Sequence, residues 1–412
     1  MVHGLGSRLG YAAALDGALL MRTASADIKG FAYRTVMRVT ELSAVAGEWI
    51  PDLTLLVRVA STADMEVMTQ LAKAGVTNLA LLTREPNLFE KSDVPSVLEL
   101  AEPLHVGDVA EVTPARTGVH VLFRESDVHH TVFLTNRCNS RCLMCSQPPT
   151  RQDDSWLADE AIRVAMHMRG SPKTVGFTGG EPLLLGSRLR EVLDVFAKYH
   201  PTTQVDLLTN GRLLADSKLA YELLHDMPHP ITWLVPLYGH ADFLHDFVVQ
   251  APGAFDQTIE GLLTLRSYGQ AIQLRIVLIE PVLHILSELC DFISRNLPFV
   301  SEVALMGCEP IGFALANRDT CEVDIREWNK ELEASVQKLV RSGLLPVLMN
   351  LPLCAIQPEL WRFAHQSISD WKRTFIAECA SCVVKKDCSG LFAWHEKGWR
   401  PANIKAIRGN AT

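Results

Sequence analysis

Apolar residues follow three different rhythms along the 412-residue chain. Over the first 125 residues short strands and one helix alternate loosely. Residues 52–59 read as a strand, 61–75 as a helix with an N-cap at Ser61 or Thr62 and Gly75 at its end, and 76–82 as another strand. Together they make a small β-α-β unit. Residues 108–112 and 119–123 flank a turn with Pro and Gly and read as a hairpin. From residue 131 the rhythm tightens into apolar strands at 131–135, 174–177, 204–208, 231–236, 272–279 and 300–306. Helical stretches at 158–169, 188–199, 217–224, 255–267 and 285–296 lie between them. Six such β/α repeats predict a parallel sheet, curled or open. From about residue 320 a helix over 324–342 gives way to an irregular tail with Pro346, Pro352 and Pro358.

The expected fold class is therefore α/β. A partial (β/α)6, TIM-like barrel occupies 126–318, a small α+β domain 1–125, and an irregular cysteine-rich extension 319–412. The N-terminal part shows no ligand spacing and reads as a recognition or packing domain.

Composition narrows the function classes. The chain is 48% hydrophobic and 21% charged, as ordinary globular proteins are. Its 39 Lys and Arg against 47 Asp and Glu give a net charge of −8, which argues against a phosphate-driven nucleic-acid binder. The oily stretch 272–290 is broken by Arg275, Glu280, Pro281, His284 and Glu288, so no membrane span is expected. Tyr11-Ala12-Ala13-Ala14-Leu15 lacks the layout of a signal peptide, and a cytoplasmic location is the expectation.

The ten cysteines are clustered. Cys138, Cys142 and Cys145 follow the first strict strand with the spacing C-x3-C-x2-C. Three thiolates on one compact loop can hold three corners of a cubane iron–sulfur cluster and leave one iron open. Buried cysteines or a three-ligand zinc site are the plainer alternatives. The loop sits at the carboxyl end of a strand, where β/α barrels place their chemistry. At the end of the second strand stands Gly176-Phe177-Thr178-Gly179-Gly180-Glu181-Pro182, whose glycines admit close backbone approach and whose Glu181 can accept from an ammonium group. The third strand ends in Thr209-Asn210-Gly211.

These three motifs together resemble the radical S-adenosylmethionine (SAM) superfamily over roughly residues 130–312. The resemblance implies a [4Fe–4S] cluster on Cys138, Cys142 and Cys145, with the open iron chelated by the amino and carboxylate groups of SAM. Gly179, Gly180 and Glu181 would then lie against the methionine part, with Thr209 and Asn210 lining the site. No side chain is assigned a catalytic role. Met144 stands where the family commonly has an aromatic residue and can still pack on adenine. Tyr238 and Arg275 are candidates for ribose and carboxylate contacts, although Arg275 reads more simply as a barrel ion-pair residue. The chemistry implied is reductive cleavage of SAM to a 5′-deoxyadenosyl radical that abstracts hydrogen from a substrate.

A second set, Cys379, Cys382 and Cys388, has the spacing C-x2-C-x5-C, and Cys354 can complete it to four. Four thiolates make either a closed zinc site or a fully ligated cluster. The family context favours an auxiliary [4Fe–4S] cluster in a shortened extension of SPASM or twitch type; Phe392 stands where full extensions carry a further cysteine. Cys290, Cys308 and Cys321 read as ordinary thiols.

The chain is most similar to the His-Xaa-Ser system radical SAM maturase of the C type. That resemblance is carried by the stretch from Leu134 to Pro149, by Leu234-Val235-Pro236-Leu237-Tyr238-Gly239 and by Ser367-Ile368-Ser369-Asp370-Trp371-Lys372. It implies a peptide or protein substrate with His-Xaa-Ser repeats, a partner radical SAM maturase, and an electron donor such as flavodoxin or ferredoxin. The alternatives are a radical SAM enzyme acting on RNA or a small metabolite, or a non-catalytic, cluster-bearing partner of another maturase.

Overall fold

A computed structural model describes residues 22–114, 118–227, 231–395, 398–399, 401 and 403–409. The Tyr11-Ala12-Ala13-Ala14-Leu15 patch lies outside them. Among the described residues no helix is long and apolar enough to cross a membrane. The chain divides into two compact units, one of residues 1–133, 155–175 and 191–203, the other of residues 134–154, 176–190 and 204–412.

The first unit is built on a mixed sheet of eight strands: β1 (Arg22–Ala24), β2 (Ala26–Lys29), β3 (Thr35–Glu41), β4 (Thr54–Arg58), β5 (Leu79–Thr83), β6 (Ser96–Glu99), β7 (Val109–Val112) and β8 (Val119–Phe123). Their order is β1-β8-β7-β3-β4-β5-β6-β2, so the two edges are β1 and β2. Only Ser25 separates those two strands in the chain. The bent segment therefore pairs with β8 through its first half and with β6 through its second, joining the two ends of the sheet. Inward positions alternate along the strands: Ala24, Ala26, Met37, Val39, Leu56, Ala80, Leu82, Ala110 and Val119 share one core. The outward set, Leu55, Val57, Leu79 and Leu81, packs with Met68 of the helix Thr62–Lys73. β3 and β6 are buried on both faces and lack a polar alternation, and β1 and β2 are only three and four residues long, so none of the four had a distinct signal in the sequence.

Helix Thr62–Lys73 begins as its sequence asks. Ser61 accepts from the Asp64 amide at 3.2 Å, and Asp64 accepts from the Ser61 amide at 2.9 Å.

The second large sheet is parallel and curled into a half-barrel. After β9 (His130–Phe133), it uses β10 (Thr174–Thr178), β11 (Gln204–Leu208), β12 (Ile231–Pro236), β13 (Ala271–Leu278), β14 (Glu302–Gly307), β15 (Leu345–Met349) and β16 (Ala364–His365). From β11 to β16 each strand pairs in parallel with the next in chain order. On β13, Ile272, Leu274, Ile276 and Leu278 are fully buried, while Gln273, Arg275 and Val277 between them are only partly so. One face is thus fully covered and the other lines the more open concave side.

β15 and β16 extend the sheet beyond the six expected strands. Pro346 hid β15, since proline argues against a sheet interior. The helix expected over 324–342 is a 3-10 turn, Ile325–Trp328, followed by the α-helix Asn329–Arg341. The tail beyond residue 350 consists of short 3-10 turns and a two-stranded ribbon, Arg373–Thr374 with Leu391–Phe392.

Ser61→Ala removes the cap acceptor of Thr62–Lys73. It should cost about 1 kcal/mol of local stability, read as faster amide hydrogen exchange in that helix alone.

Candidate active site

The loops at the carboxyl ends of the parallel strands carry most motifs singled out from sequence; Cys379, Cys382 and Cys388 lie instead between the two strands of the ribbon. The first cysteine set follows β9, the glycine turn follows β10, Thr209-Asn210-Gly211 follows β11, and Cys354 follows β15. Parallel β/α connections put all of these at one edge of a sheet.

The cysteine loop and the glycine turn interleave at backbone level. Leu134 N–H donates to Thr178 O at 2.8 Å, Gly180 N–H to Thr135 O at 2.6 Å and Glu181 N–H to Arg137 O at 2.8 Å. A Cβ on Gly179 would sit 2.5 Å from Thr135 O, and one on Gly180 would collide with the Arg137 carbonyl. Gly179 also has φ +152°. The close approach that these glycines permit is therefore to the cysteine loop itself.

Glu181 is fully buried, at 0% exposure. Its Oε1 accepts from Leu183 N–H at 2.9 Å and from Thr209 Oγ1 at 2.6 Å, and its Oε2 from Asn210 N–H at 2.6 Å. Burial pushes the carboxyl above its ordinary range, and these three donors and Arg212 oppose that. Oε2 keeps a free lone pair, so one further donor can still be received. Asn210 in turn donates from Nδ2 to Asn139 Oδ1 at 2.6 Å, inside the cysteine loop.

Two residues that sequence reading passed over organise this loop. Asp154, 5% exposed, accepts from Thr135 Oγ1 at 3.2 Å, from Asn136 Nδ2 at 3.2 Å and from the Asn136 amide. Arg212 Nη1 donates to Asn139 O at 2.6 Å and Ser140 Oγ at 2.9 Å. Arg212 directly follows the Thr209-Asn210-Gly211 motif, and that adjacency was the available signal. Asp154 had none, being one acid in a polar run.

The three cysteines are half-buried, and desolvation of their thiols pushes Cys138 and Cys145 up to about 11 and Cys142 higher still. Cys142 feels the charge of both Cys138 and Cys145. Ser140 N–H points at Cys138 Sγ, 3.4 Å away, and the Arg212 cation favours the thiolate. Amide donors aimed at sulfur suit thiolate ligands. Loading a metal there must displace protons. Met144 is buried beside them.

The second set also converges. Cys354, Cys379, Cys382 and Cys388 line one small, partly open cavity of about 20 Å³, with Lys385 and Lys405 on its wall. Cys388 Sγ accepts from Leu353 N–H and Gly390 N–H, each at 3.4 Å. Among the described residues, no three His, Cys, Asp or Glu side chains are gathered as ligands of a single metal ion.

Tyr238 follows β12, buried, with its N–H donating to His245 Nδ1 at 3.1 Å and its ring stacked on that imidazole. Arg275 on β13 directs Nε to Met306 Sδ at 3.2 Å and Nη2 to Met349 Sδ at 3.8 Å. Asp206 and Glu302 act on it from further away.

The radical SAM superfamily model matches residues 132–288. A probable GTP 3′,8-cyclase of Methanocella arvoryzae is 27% identical over 140 residues, which are 34% of this chain and 43% of that protein. The GTP 3′,8-cyclase of Mycobacterium ulcerans is 34% identical over 102 residues, 23% of this chain and 27% of that one. The match thus spans less than half the length of these curated relatives. A radical SAM methyltransferase from Sphaerobacter thermophilus aligns with TM-score 0.41 at 14% identity, over 60% of this chain and 75% of its own. Residues 132–288, which match the radical SAM superfamily model, carry the three cysteines on the loop after β9 and the Gly-Gly-Glu-Pro turn hydrogen-bonded to that loop.

Proposed function

We propose that the chain is a radical SAM enzyme that modifies a peptide or protein, with residues 126–318 as its core and 319–412 as a metal-bearing extension. The observation that carries the catalytic half is the joined pair of loops, cysteine triad on Gly-Gly-Glu-Pro. Cys138, Cys142 and Cys145 would hold a [4Fe–4S] cluster, which when bound supplies the electron and the open iron for reductive cleavage of SAM. Glu181, held rigid by its three donors, offers its remaining acceptor to an ammonium group. Arg212 and Asp154 keep the loop in place, and Met144 adds apolar surface that excludes water.

Cys354, Cys379, Cys382 and Cys388 would hold a second cluster. Four cysteines lining one cavity could serve either a cluster or a closed zinc site, and the radical SAM context favours the cluster. The two lysines on the wall suit an anionic group. The peptide substrate rests on the resemblance to the His-Xaa-Ser maturase, as do the partner maturase and the flavodoxin- or ferredoxin-type electron donor; a cytoplasmic location accords with oxygen-labile iron–sulfur chemistry. A small-metabolite substrate is the second reading, favoured by the relatives named GTP 3′,8-cyclase.

The deciding experiment supplies the anaerobic, reconstituted protein with SAM and dithionite, adding either a His-Xaa-Ser repeat protein or GTP. Peptide-stimulated 5′-deoxyadenosine with a changed peptide mass is expected. Consumption of GTP with an unchanged peptide would replace this reading with the metabolite one.

Cys138→Ala should abolish SAM cleavage. Cys382→Ala should keep some cleavage, lose the peptide product and, by iron analysis, retain about half the iron, as loss of one of two four-iron clusters requires. Gly180→Ala should force the two loops apart through the Arg137 carbonyl, and the reduced protein's EPR signal should lose its response to SAM.

A further inference from the structure

Arg275 is a cation that the fold leaves without a carboxylate. It stands on β13 beside Pro236 of β12 and Ala304 of β14, and Ala304 stands beside Val347 of β15. Strand side chains alternate between faces, so Arg275 shares the concave side with Gln273 and Val277, the partly covered positions of β13. Met306 and Met349 are register partners two residues further along β14 and β15, nearer the carboxyl ends. The guanidinium reaches toward them, with Nε 3.2 Å from Met306 Sδ and Nη2 3.8 Å from Met349 Sδ.

The ion pair expected from sequence is not made. Glu302, on the same face, accepts instead from Gln273 Nε2, and among the described residues no Asp or Glu pairs with Arg275. Thioether sulfurs are weak acceptors, and a guanidinium carries five N–H donors. Withdrawing such a group from water without an anion is costly. Its planar fork suits the paired oxygens of a carboxylate or a phosphate, so an anionic guest on the concave side meets the need. The direction of the side chain separates this guest from SAM. The loops after β9 and β10, where the resemblance puts the amino and carboxylate groups of SAM, lie at one end of the strand order β16-β15-β14-β13-β12-β11-β10-β9. Arg275 leans the other way, from β13 across β14 to β15.

We propose that Arg275 is a specificity-determining residue that receives an anionic oxygen group of the substrate, a peptide carboxylate or a nucleotide phosphate, beside Met306 and Met349. Calling the guest a substrate rests on the function proposed above; the anion site itself does not.

The test measures binding to the anaerobic, cluster-loaded protein with SAM present and no reductant, so that no turnover is needed. Calorimetric titrations use two pairs of probes. One is a His-Xaa-Ser repeat peptide containing a glutamate against the same peptide with glutamine there; the other is GTP against guanosine. The anionic member of one pair should bind about tenfold tighter than its neutral twin, as a hydrogen bond between charged groups implies. Preference within the peptide pair identifies a carboxylate guest, and preference within the nucleotide pair a phosphate guest. Arg275→Met, which sets a third thioether beside Met306 and Met349, should erase the preference, and Arg275→Lys should keep part of it. Equal binding of the twins in both pairs overturns the anion site, and this comparison in the unmutated protein stands whether or not a variant folds. A preference that survives Arg275→Met also overturns it. Arg275→Met binding SAM more weakly, with the probe preference intact, makes Arg275 a SAM contact instead. SAM cleavage without any probe preference removes the anion site alone, whereas a preference without SAM cleavage keeps it and removes the radical reading.

Discussion

A buried carboxylate organises the candidate active site. Glu181 is removed from water, and an ionised carboxylate there is costly by several kcal/mol unless donors surround it. Its three donors come from its own turn and from the loop after β11. Satisfying Glu181 therefore ties the second and third loops of the sheet edge to each other. Asn210 and Arg212 carry the tie onward to Asn139 and Ser140 in the cysteine loop. The network shares one economy: each polar side chain that closes on a neighbour also removes an unpaired group from the interior.

The glycines belong to the same constraint. Where Thr135 and Arg137 carbonyls accept from the Gly180 and Glu181 amides, the backbones are too close for a side chain at either glycine. The cysteine loop is thus clamped from the glycine turn, from Asp154 and, through Phe313 and Asn317, from the segment after β14. A loop presenting three ligands must hold them before the metal arrives, since repulsion among thiolates otherwise spreads them. The extension uses a lighter version of the same device, with two backbone amides aimed at Cys388.

Much of this was legible one residue at a time. Thiolate spacing, the Gly-Gly-Glu-Pro turn and the alternating strands are local signals, because each depends on covalent geometry and on a period of apolar residues. The helix cap at Ser61 was likewise local. The closure of the N-terminal sheet was not, since it depends on a bent segment pairing at both ends with strands about seventy or more residues away. Nor was β15, where register against β14 outweighs a proline.

The sequence by itself determined the chemistry available: which side chains could carry iron, which turn could approach them and where strands begin. Only the tertiary structure decided what those groups do to one another. It turned Glu181 into a buried anchor held by three donors, recruited Asp154 and Arg212, and gathered Cys354 with a set some 25 residues further on. The physical reason is that a hydrogen bond or a buried charge is decided by three-dimensional neighbours, and no pattern along the chain records them.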